Sequence, residues 1–447
     1  MLSADALKIR NLGERTHPSP LDFSTRRGDG IGNFIFDETR VRSHVELLPG
    51  QKPRDDVLYE KAGPREMLYF RPERTKAALV TCGGLCPGIN DVIRSMVLEL
   101  YHHYEVTRIL GIRFGFQGMN PDVAAPPFQL DPDFVENIHR NGGTVLGSSR
   151  GSQPVDKMVD FLQDEKVDIL FCVGGDGTQK GAHEIWLEIE RREAKIAVVG
   201  VPKTIDNDIP FVTKTFGYST ALEEARKVID CAHMEAKGLR NGIGLVKVMG
   251  RDAGFIAAGA TLASQEVNFT LIPEIPFELE GKDGFLEVLK KRLEERGHAV
   301  IVVAEGAGQH LFESAPTVRD ASGNLKHNDI GQLLKEEILE YFQKTNFDAG
   351  LKYIDPSYII RSVPANSDDR IFCNALARHS VHAGMAGKTD LLIGHCHDIF
   401  LHIPIPTAVS AKKRISPEGR LWMSVLETTG QPLFFGRKVV EEGPNEP

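Results

Sequence analysis

From residue 76 onward the chain repeats one pattern: a short apolar run, a glycine-rich or charged turn, then a stretch with helical spacing. "KAALVTCGGLCPGIN" leads into "DVIRSMVLELYHHY", and "VDILFCVGGDGTQKGAHEIWLEIERR" repeats the arrangement. "KIAVVGVPKTIDND" precedes the helical "GYSTALEEARKVIDCAHMEAKG", with Ser219 or Thr220 as its cap. "NGIGLVKVMG" and "GHAVIVVAEGAGQ" read as further strands, and "RDAGFIAAGATLAS" and "FLEVLKKRLEERG" as further helices. Strands alternating with helices predict an α/β fold with parallel sheets. Ligands of such sheets sit at the carboxyl ends of the strands. Every motif of interest stands just after an apolar run, so the motifs are expected to converge.

The chain has 447 residues, enough for two or three structural units. Residues 1–75 are rich in Pro, Arg and Asp with little periodicity, and read as an irregular N-terminal extension. The net charge of −9 argues against nucleic acid or an anionic membrane as partner, while leaving room for a small anion held by local Lys and Arg. No apolar run approaches a membrane span, the first residues lack a signal-peptide core, and "GPNEP" is not a peroxisomal address, so a cytoplasmic enzyme is expected. Cys82, Cys86, Cys172, Cys231, Cys373 and Cys396 form no CxxC framework and are expected to be reduced. "GHCHD" sets His395, Cys396 and His397 together. A sheet segment ending in polar residues explains it better than a metal site, which needs three or four ligands.

Three motifs carry chemistry. In "CGGLCPGIN", Gly83, Gly84 and Gly88 let the backbone approach a phosphate, and a helix starting near Asn90 aims N–H groups at it. A tight strand-to-helix turn without a ligand would look the same. In "VGGDGTQKGA", Asp176 stands among Gly174, Gly175 and Gly177, and Thr178 opens a helix. One acid beside phosphate suits Mg²⁺, which takes one or two carboxylates plus phosphate oxygens and water. An Asp-capped turn is the plainer alternative. Diacylglycerol kinases and NAD kinases carry a very similar string. In "GVPKTIDNDIP", Asp206 is the candidate base for a hydroxyl proton. Asp208 would be a second acid helping to hold magnesium or its waters, the two alternating if the chain is extended there. Lys203 supplies positive charge and Thr204 a donor for substrate. An Asx-rich turn before Pro210 is the alternative.

Together "CGGLCPGIN", "GGTVLGSSRG", "VGGDGTQKGA", "PKTIDNDI", "KVMGRDAGFIA", "VVAEG" and "KYIDPSYIIR" resemble, in order and spacing, the 6-phosphofructokinase family over about residues 76–430. The chain looks closest to the longer ATP-dependent members, which resemble the pyrophosphate-dependent enzymes in some motifs. The resemblance implies two α/β domains of phosphofructokinase type. The nucleotide-binding domain would take 76–217 and 360–409, the sugar-phosphate-binding domain 218–359 and 410–447. The implied reaction moves the γ-phosphoryl of MgATP to the 1-hydroxyl of fructose 6-phosphate. It implies Asp206 as general base, with Arg251 and Lys203 completing the catalytic set. It implies Mg²⁺ on Asp176, and ATP on Gly84, Arg150, Gly151, Gly175, Asp176, Gly177 and Thr178. Fructose 6-phosphate would meet Thr204, Ile205, Asp206, Met249, Gly250, Arg251, Glu305, Lys352, Tyr358 and Arg361. Lys352 stands where the shorter bacterial members have Arg, Tyr358 where they have His, and Lys203 where they have Gly. A homotetramer, or a dimer, is implied, with subunits completing each other's sugar sites and with allosteric control.

Two positions bear on the phosphoryl donor. Lys203 resembles the pyrophosphate-dependent enzymes. Gly177 does not: those members resemble "GGDD" there, and the second Asp fills and charges the space of an ATP α-phosphate. The glycine decides whether ATP enters, so ATP is the expected donor. A pyrophosphate-dependent enzyme and a catalytically silent regulatory subunit are the alternatives.

Overall fold

The structure is a computed structural model that describes residues 5–42, 57–312 and 327–436. The described residues divide into two compact units, one drawn from Met1–Thr220 and Arg361–Lys413, the other from Ala221–Asp320, Asn324–Ile360 and Arg414–Pro447.

The first unit is built on a nine-stranded sheet. Its order is Arg40–Arg42, Leu58–Lys61, Ile399–Pro404, Leu391–Cys396, Ala197–Pro202, Ile169–Gly174, Lys76–Thr81, Arg108–Ile112 and Phe128–Gln129. The five strands from Leu391–Cys396 to Arg108–Ile112 are mutually parallel, and the outer ones attach antiparallel. Ile169–Gly174 and Ala197–Pro202 are buried at every residue, which explains why they read as unbroken apolar runs rather than alternating ones. Met158, Val159, Leu162, Ala182, Ile185 and Trp186, from helices Val155–Asp164 and Asp176–Arg191, pack on one face with Ala78, Val80, Leu170 and Cys172. On the other face helix Ser367–Met385 comes so close that a Cβ on Gly384 would lie 2.8 Å from Ile169. Taking the five parallel strands in chain order, their spatial order is 2-1-3-4-5. The order therefore reverses between Lys76–Thr81 and Ile169–Gly174, and doubly wound sheets bind ligands at that reversal, beyond the strands' carboxyl ends.

The second unit carries a four-stranded parallel sheet in the order Phe269–Leu271, His298–Ala304, Gly242–Val248, Gly350–Ile354. Helix Phe255–Ser264 is buried from Phe255 to Thr261, which its Ala and Gly content permits. Helices Phe285–Arg296 and Ile330–Lys344 pack Leu289, Leu293, Leu334 and Ile338 into the core formed with Ile301 and Val303. Helix Tyr218–Lys237 begins before its expected cap residues: Thr220 is inside it and donates its hydroxyl to Asp369 Oδ2 at 2.6 Å.

The N-terminal extension is irregular over much of its described length, yet it supplies strands that its composition does not announce. Arg40–Arg42 and Leu58–Lys61 extend the large sheet, and Arg10–Asn11 pairs with Lys388–Thr389. A buried ion cluster fixes it. Glu60 Oε1 receives Lys388 Nζ at 2.6 Å, His402 Nδ1 at 2.9 Å and Arg65 Nη2 at 3.2 Å. Arg65 Nε also donates to Asp37 Oδ1 at 2.9 Å. Burial opposes ionisation of Glu60, but the His402 hydrogen bond and the neighbouring cations outweigh it and hold the carboxyl well below its ordinary range. Burial pushes His402 down to about 4, so it is neutral near pH 7.

"GHCHD" closes a hairpin. Leu391–Cys396 pairs antiparallel with Ile399–Pro404, and the two-residue loop His397–Asp398 has φ of 51° and 59°, as a type I′ turn requires. The His395 ring packs on Phe372 and Phe400. Among the described residues no group of three or more His, Cys, Asp or Glu is placed to hold a metal.

Removing the Glu60 carboxylate leaves the buried cations Arg65 and Lys388 to share the partly exposed Asp37. Glu60→Ala is expected to cost about 3–5 kcal/mol of unfolding free energy, read as a lower urea midpoint.

Candidate active site

The three motifs of the first unit follow three neighbouring strands: "CGG" after Lys76–Thr81, "GDGT" after Ile169–Gly174 and "KTIDND" after Ala197–Pro202. One side chain locks the last two ends together. Gln179, 1% exposed, donates its amide nitrogen toward the carbonyls of Gly174 at 3.0 Å, Val201 at 3.2 Å and Cys172 at 3.3 Å. A Cβ on Gly200 would lie 2.0 Å from the Gln179 carbonyl oxygen, so this clamp demands glycine in the strand.

At the first turn, Gly83 has φ of +85° and Gly88, which opens helix Ile89–Leu98, has φ of +98°. The "GSSRG" loop is stitched to this turn. Ser148 Oγ donates to the Gly83 carbonyl at 2.6 Å, and the Gly83 N–H donates to the Ser149 carbonyl at 3.0 Å. That stitching brings three cations to one glycine. Lys203 Nζ donates to the Gly84 carbonyl at 2.6 Å, and a Cβ built on Gly84 would stand 3.5 Å from both Arg150 Nη2 and Arg361 Nη1. Lys203 is 5% exposed. Burial, reinforced by the charges of Arg150 and Arg361, draws its pKa below the ordinary lysine value. A cluster of like charges over a glycine backbone is a receptor for an anion.

Asp176 is the first residue of helix Asp176–Arg191 and partners Lys180 at 3.0 Å. Thr178 and Gln179 donate their N–H groups to the Gly175 carbonyl. A Cβ on Gly175 would lie 3.3 Å from the Lys203 carbonyl, whereas a Cβ on Gly177 would meet nothing within 4 Å. Gly151 takes φ of +94° at the end of the Arg150 loop.

The "TIDND" segment is a folded loop, not an extended strand. Asn207 has φ of +52° and is buried. Its side chain donates to the Thr213 carbonyl at 3.2 Å and accepts from the Thr215 N–H at 3.1 Å. The Thr215 hydroxyl returns to the Thr204 carbonyl at 2.7 Å, and Ile205 is buried beneath the loop. The two acids therefore do not alternate along a strand, and they differ in surroundings. Asp208 is 8% exposed, takes Lys412 Nζ at 2.8 Å on Oδ2 and accepts the Thr204 hydroxyl at 3.1 Å on Oδ1. Asp208 is thus engaged within the protein by Lys412 and Thr204. The Thr204 hydroxyl proton is likewise committed to Asp208, and its oxygen accepts the Asp206 N–H at 3.0 Å.

In the second unit the residues also collect at strand ends. Met249, Gly250 and Arg251 follow Gly242–Val248, and Glu305 follows the adjacent His298–Ala304. The pairing continues past the strands: Glu305 N–H donates to the Val248 carbonyl at 2.9 Å and Gly306 N–H to the Gly250 carbonyl at 3.1 Å. Gly250 has φ of +130°. Burial, then the Arg251 charge, lowers the pKa of His327. Lys352 lies exposed on Gly350–Ile354, and Tyr358, 75% exposed, follows a turn anchored by Lys247 on Asp355 at 2.9 Å. The structure thus gathers Gly84, Arg150, Lys203 and Arg361 in one unit and Gly250, Arg251 and Glu305 in the other. Gln179, Ser148, Lys412 and Lys413 were not legible beforehand, because no spacing or composition marks a residue whose part is to hold another segment's backbone.

The cations around Gly84 stand at the reversal point of a doubly wound sheet, where α/β proteins of this class bind their ligands. The sequence profile of the phosphofructokinase family matches residues 76–384, and the chain belongs to that family. An ATP-dependent 6-phosphofructokinase of Borreliella burgdorferi is 50% identical over 434 residues, covering 95% of this chain and 97% of its own. One of Amycolatopsis methanolica is 43% identical over 455 residues, covering 99% and 98%. One of Entamoeba histolytica is 45% identical over 424 residues, covering 93% of each. The fold is also that of a pyrophosphate-dependent phosphofructokinase from Marinobacter aquaeolei, with TM-score 0.66 at 20% identity over 81% of this chain and 92% of that one.

Asn207→Ala removes a buried amide from a left-handed position that alanine disfavours. The variant is expected to lose about 1–3 kcal/mol of stability in urea unfolding, with turnover down ~10-fold or more as the loop loosens.

Proposed function

We propose that the chain is an ATP-dependent 6-phosphofructokinase of glycolysis, transferring the γ-phosphoryl of MgATP to the 1-hydroxyl of D-fructose 6-phosphate to give D-fructose 1,6-bisphosphate and ADP. The observation that carries this is the group of Lys203, Arg150 and Arg361 around Gly84, beside the helix that Asp176 opens. The full-length likeness to ATP-dependent relatives supports it.

Phosphoryl transfer asks for positioning and charge neutralisation more than for covalent chemistry. The turn at Gly84, the Arg150–Gly151 loop and Gly175 through Thr178 would cradle the nucleotide phosphates. Asp176, partly exposed at a helix start, fits a single-carboxylate Mg²⁺ site, the ion being completed by phosphate oxygens and water. Bound there, magnesium supplies charge neutralisation on the phosphates. Asp206 takes the proton of the sugar 1-hydroxyl. Lys203 and Arg251 offset charge on the transferring group. Thr204 accepts a sugar hydroxyl, and Ile205, buried under the loop, shapes that side of the site. Met249, Gly250, Glu305, Lys352, Tyr358 and Arg361 hold the sugar phosphate. A cytoplasmic homotetramer under allosteric control completes the proposal.

A second reading, pyrophosphate as donor, is favoured by Lys203 alone. The open space over Gly177 favours ATP. A coupled assay for fructose 1,6-bisphosphate, run with ATP and with pyrophosphate, is expected to give product with ATP and negligible product with pyrophosphate. Equal use of both donors would reverse the ranking, and no product with either would leave a silent regulatory subunit.

Asp206→Asn is expected to lower turnover by about 10² to 10⁴ with the KM for ATP nearly unchanged. A Cβ at Gly177 meets no atom within 4 Å, so Gly177→Asp starts from open space. It is expected to lower kcat/KM for ATP by roughly 10²-fold through like-charge repulsion, while its melting temperature stays that of the parent and weak pyrophosphate use emerges.

A further inference from the structure

The geometry points to Lys412 as a positioning residue for phosphoryl transfer, setting the attitude of Asp206 through Asp208 and Thr204; this rests on Asp206 being the general base. Lys412 is 204 residues away in sequence, in no motif, yet its Nζ reaches Asp208 Oδ2 at 2.8 Å. The other oxygen of the same carboxylate takes the Thr204 hydroxyl at 3.1 Å. That hydroxyl oxygen then accepts the Asp206 N–H at 3.0 Å. Each link fixes the next. The ammonium holds Asp208 as an oriented anion, the anion fixes the direction of the Thr204 O–H, and the hydroxyl lone pair fixes the Asp206 backbone. A base misplaced by an ångström loses about two orders of magnitude in rate.

The neighbouring lysine separates this part from simple support of the loop. Lys413 ties the same loop independently, its N–H to the Asp208 carbonyl at 2.9 Å and its Nζ to the carbonyls of Val212 at 2.8 Å and Thr213 at 3.2 Å. Asn207 and Thr215 close the loop from within. With Lys412 shortened, the loop keeps its fold and Asp208, 8% exposed, loses the cation that orients it. The Lys412 side chain is itself one-third exposed (34%), so its truncation leaves no buried void.

The test compares Lys412→Met, Lys412→Arg, Asp206→Asn and the double variant Lys412→Met with Asp206→Asn in the full-length enzyme. Lys412→Met is expected to lower kcat about 10- to 100-fold, with the KM values for ATP and fructose 6-phosphate within about threefold of the parent and the melting temperature maintained. Lys412→Arg is expected to restore most of the turnover. In the Asp206→Asn background, Lys412→Met should cost nothing further, because the group it positions is gone. Parental kcat in Lys412→Met, beside a disabled Asp206→Asn, would overturn this inference and leave the base assignment standing. Losses that multiply in the double variant would also overturn it. Parental turnover in Asp206→Asn would remove the base assignment and this inference with it.

Discussion

Like charges do not gather at one glycine unless the surrounding chain holds them there. Lys203, Arg150 and Arg361 approach the Gly84 turn from three separate parts of the sequence, and burial already draws down the Lys203 pKa. The arrangement is unfavourable to the protein alone, and it is stabilised by the sheet beneath it. Strands Ile169–Gly174 and Ala197–Pro202 are buried throughout, the Gln179 amide ties their ends, and the "GSSRG" loop is bonded to the Gly83 turn. Folding energy collected in the core is thus retained as electrostatic preorganisation at the strand ends.

The "TIDND" loop divides its polar residues between two tasks. Asn207 and Asp208 are turned inward and satisfied by Thr213, Thr215, Thr204 and Lys412, so they act on the protein. Asp206, just before the left-handed Asn207, has its backbone N–H held by the Thr204 hydroxyl. Two carboxylates two residues apart therefore need not share a function. Their environments separate them, and environment is what assigns chemical roles to like groups.

Much of this could be read from the chain. Unbroken apolar runs such as "DILFCVG" announce strands buried on both faces, glycines mark turns, and the position of each motif after a strand places it at the sheet's active edge. Local rules could not reveal partners distant in sequence. Nothing in "AKKR" points to Asp208, and nothing in "QKGA" says that Gln179 bonds three carbonyls. Arg40–Arg42 is short and polar because it is the edge strand, and Leu58–Lys61 lies next to it. Their register depends on ions at Glu60, Arg65 and Lys388, and periodicity does not record such pairings. The pairing of Asp208 with Lys412 was hidden for the same reason.

The edge of the large sheet has a consequence for how the chain folds. Arg40–Arg42 and Leu58–Lys61 attach to Ile399–Pro404, and Arg10–Asn11 attaches to Lys388–Thr389. Segments early in this sequence thus pair with strands more than 300 residues later. Until those strands form, the early arm has no sheet to join and Glu60 lacks the Lys388 and His402 partners it has in the native state. Completion of the first unit is a late folding event with high contact order. Until then the folding chain carries an open sheet edge at Ile399–Pro404, whose native occupant is Leu58–Lys61.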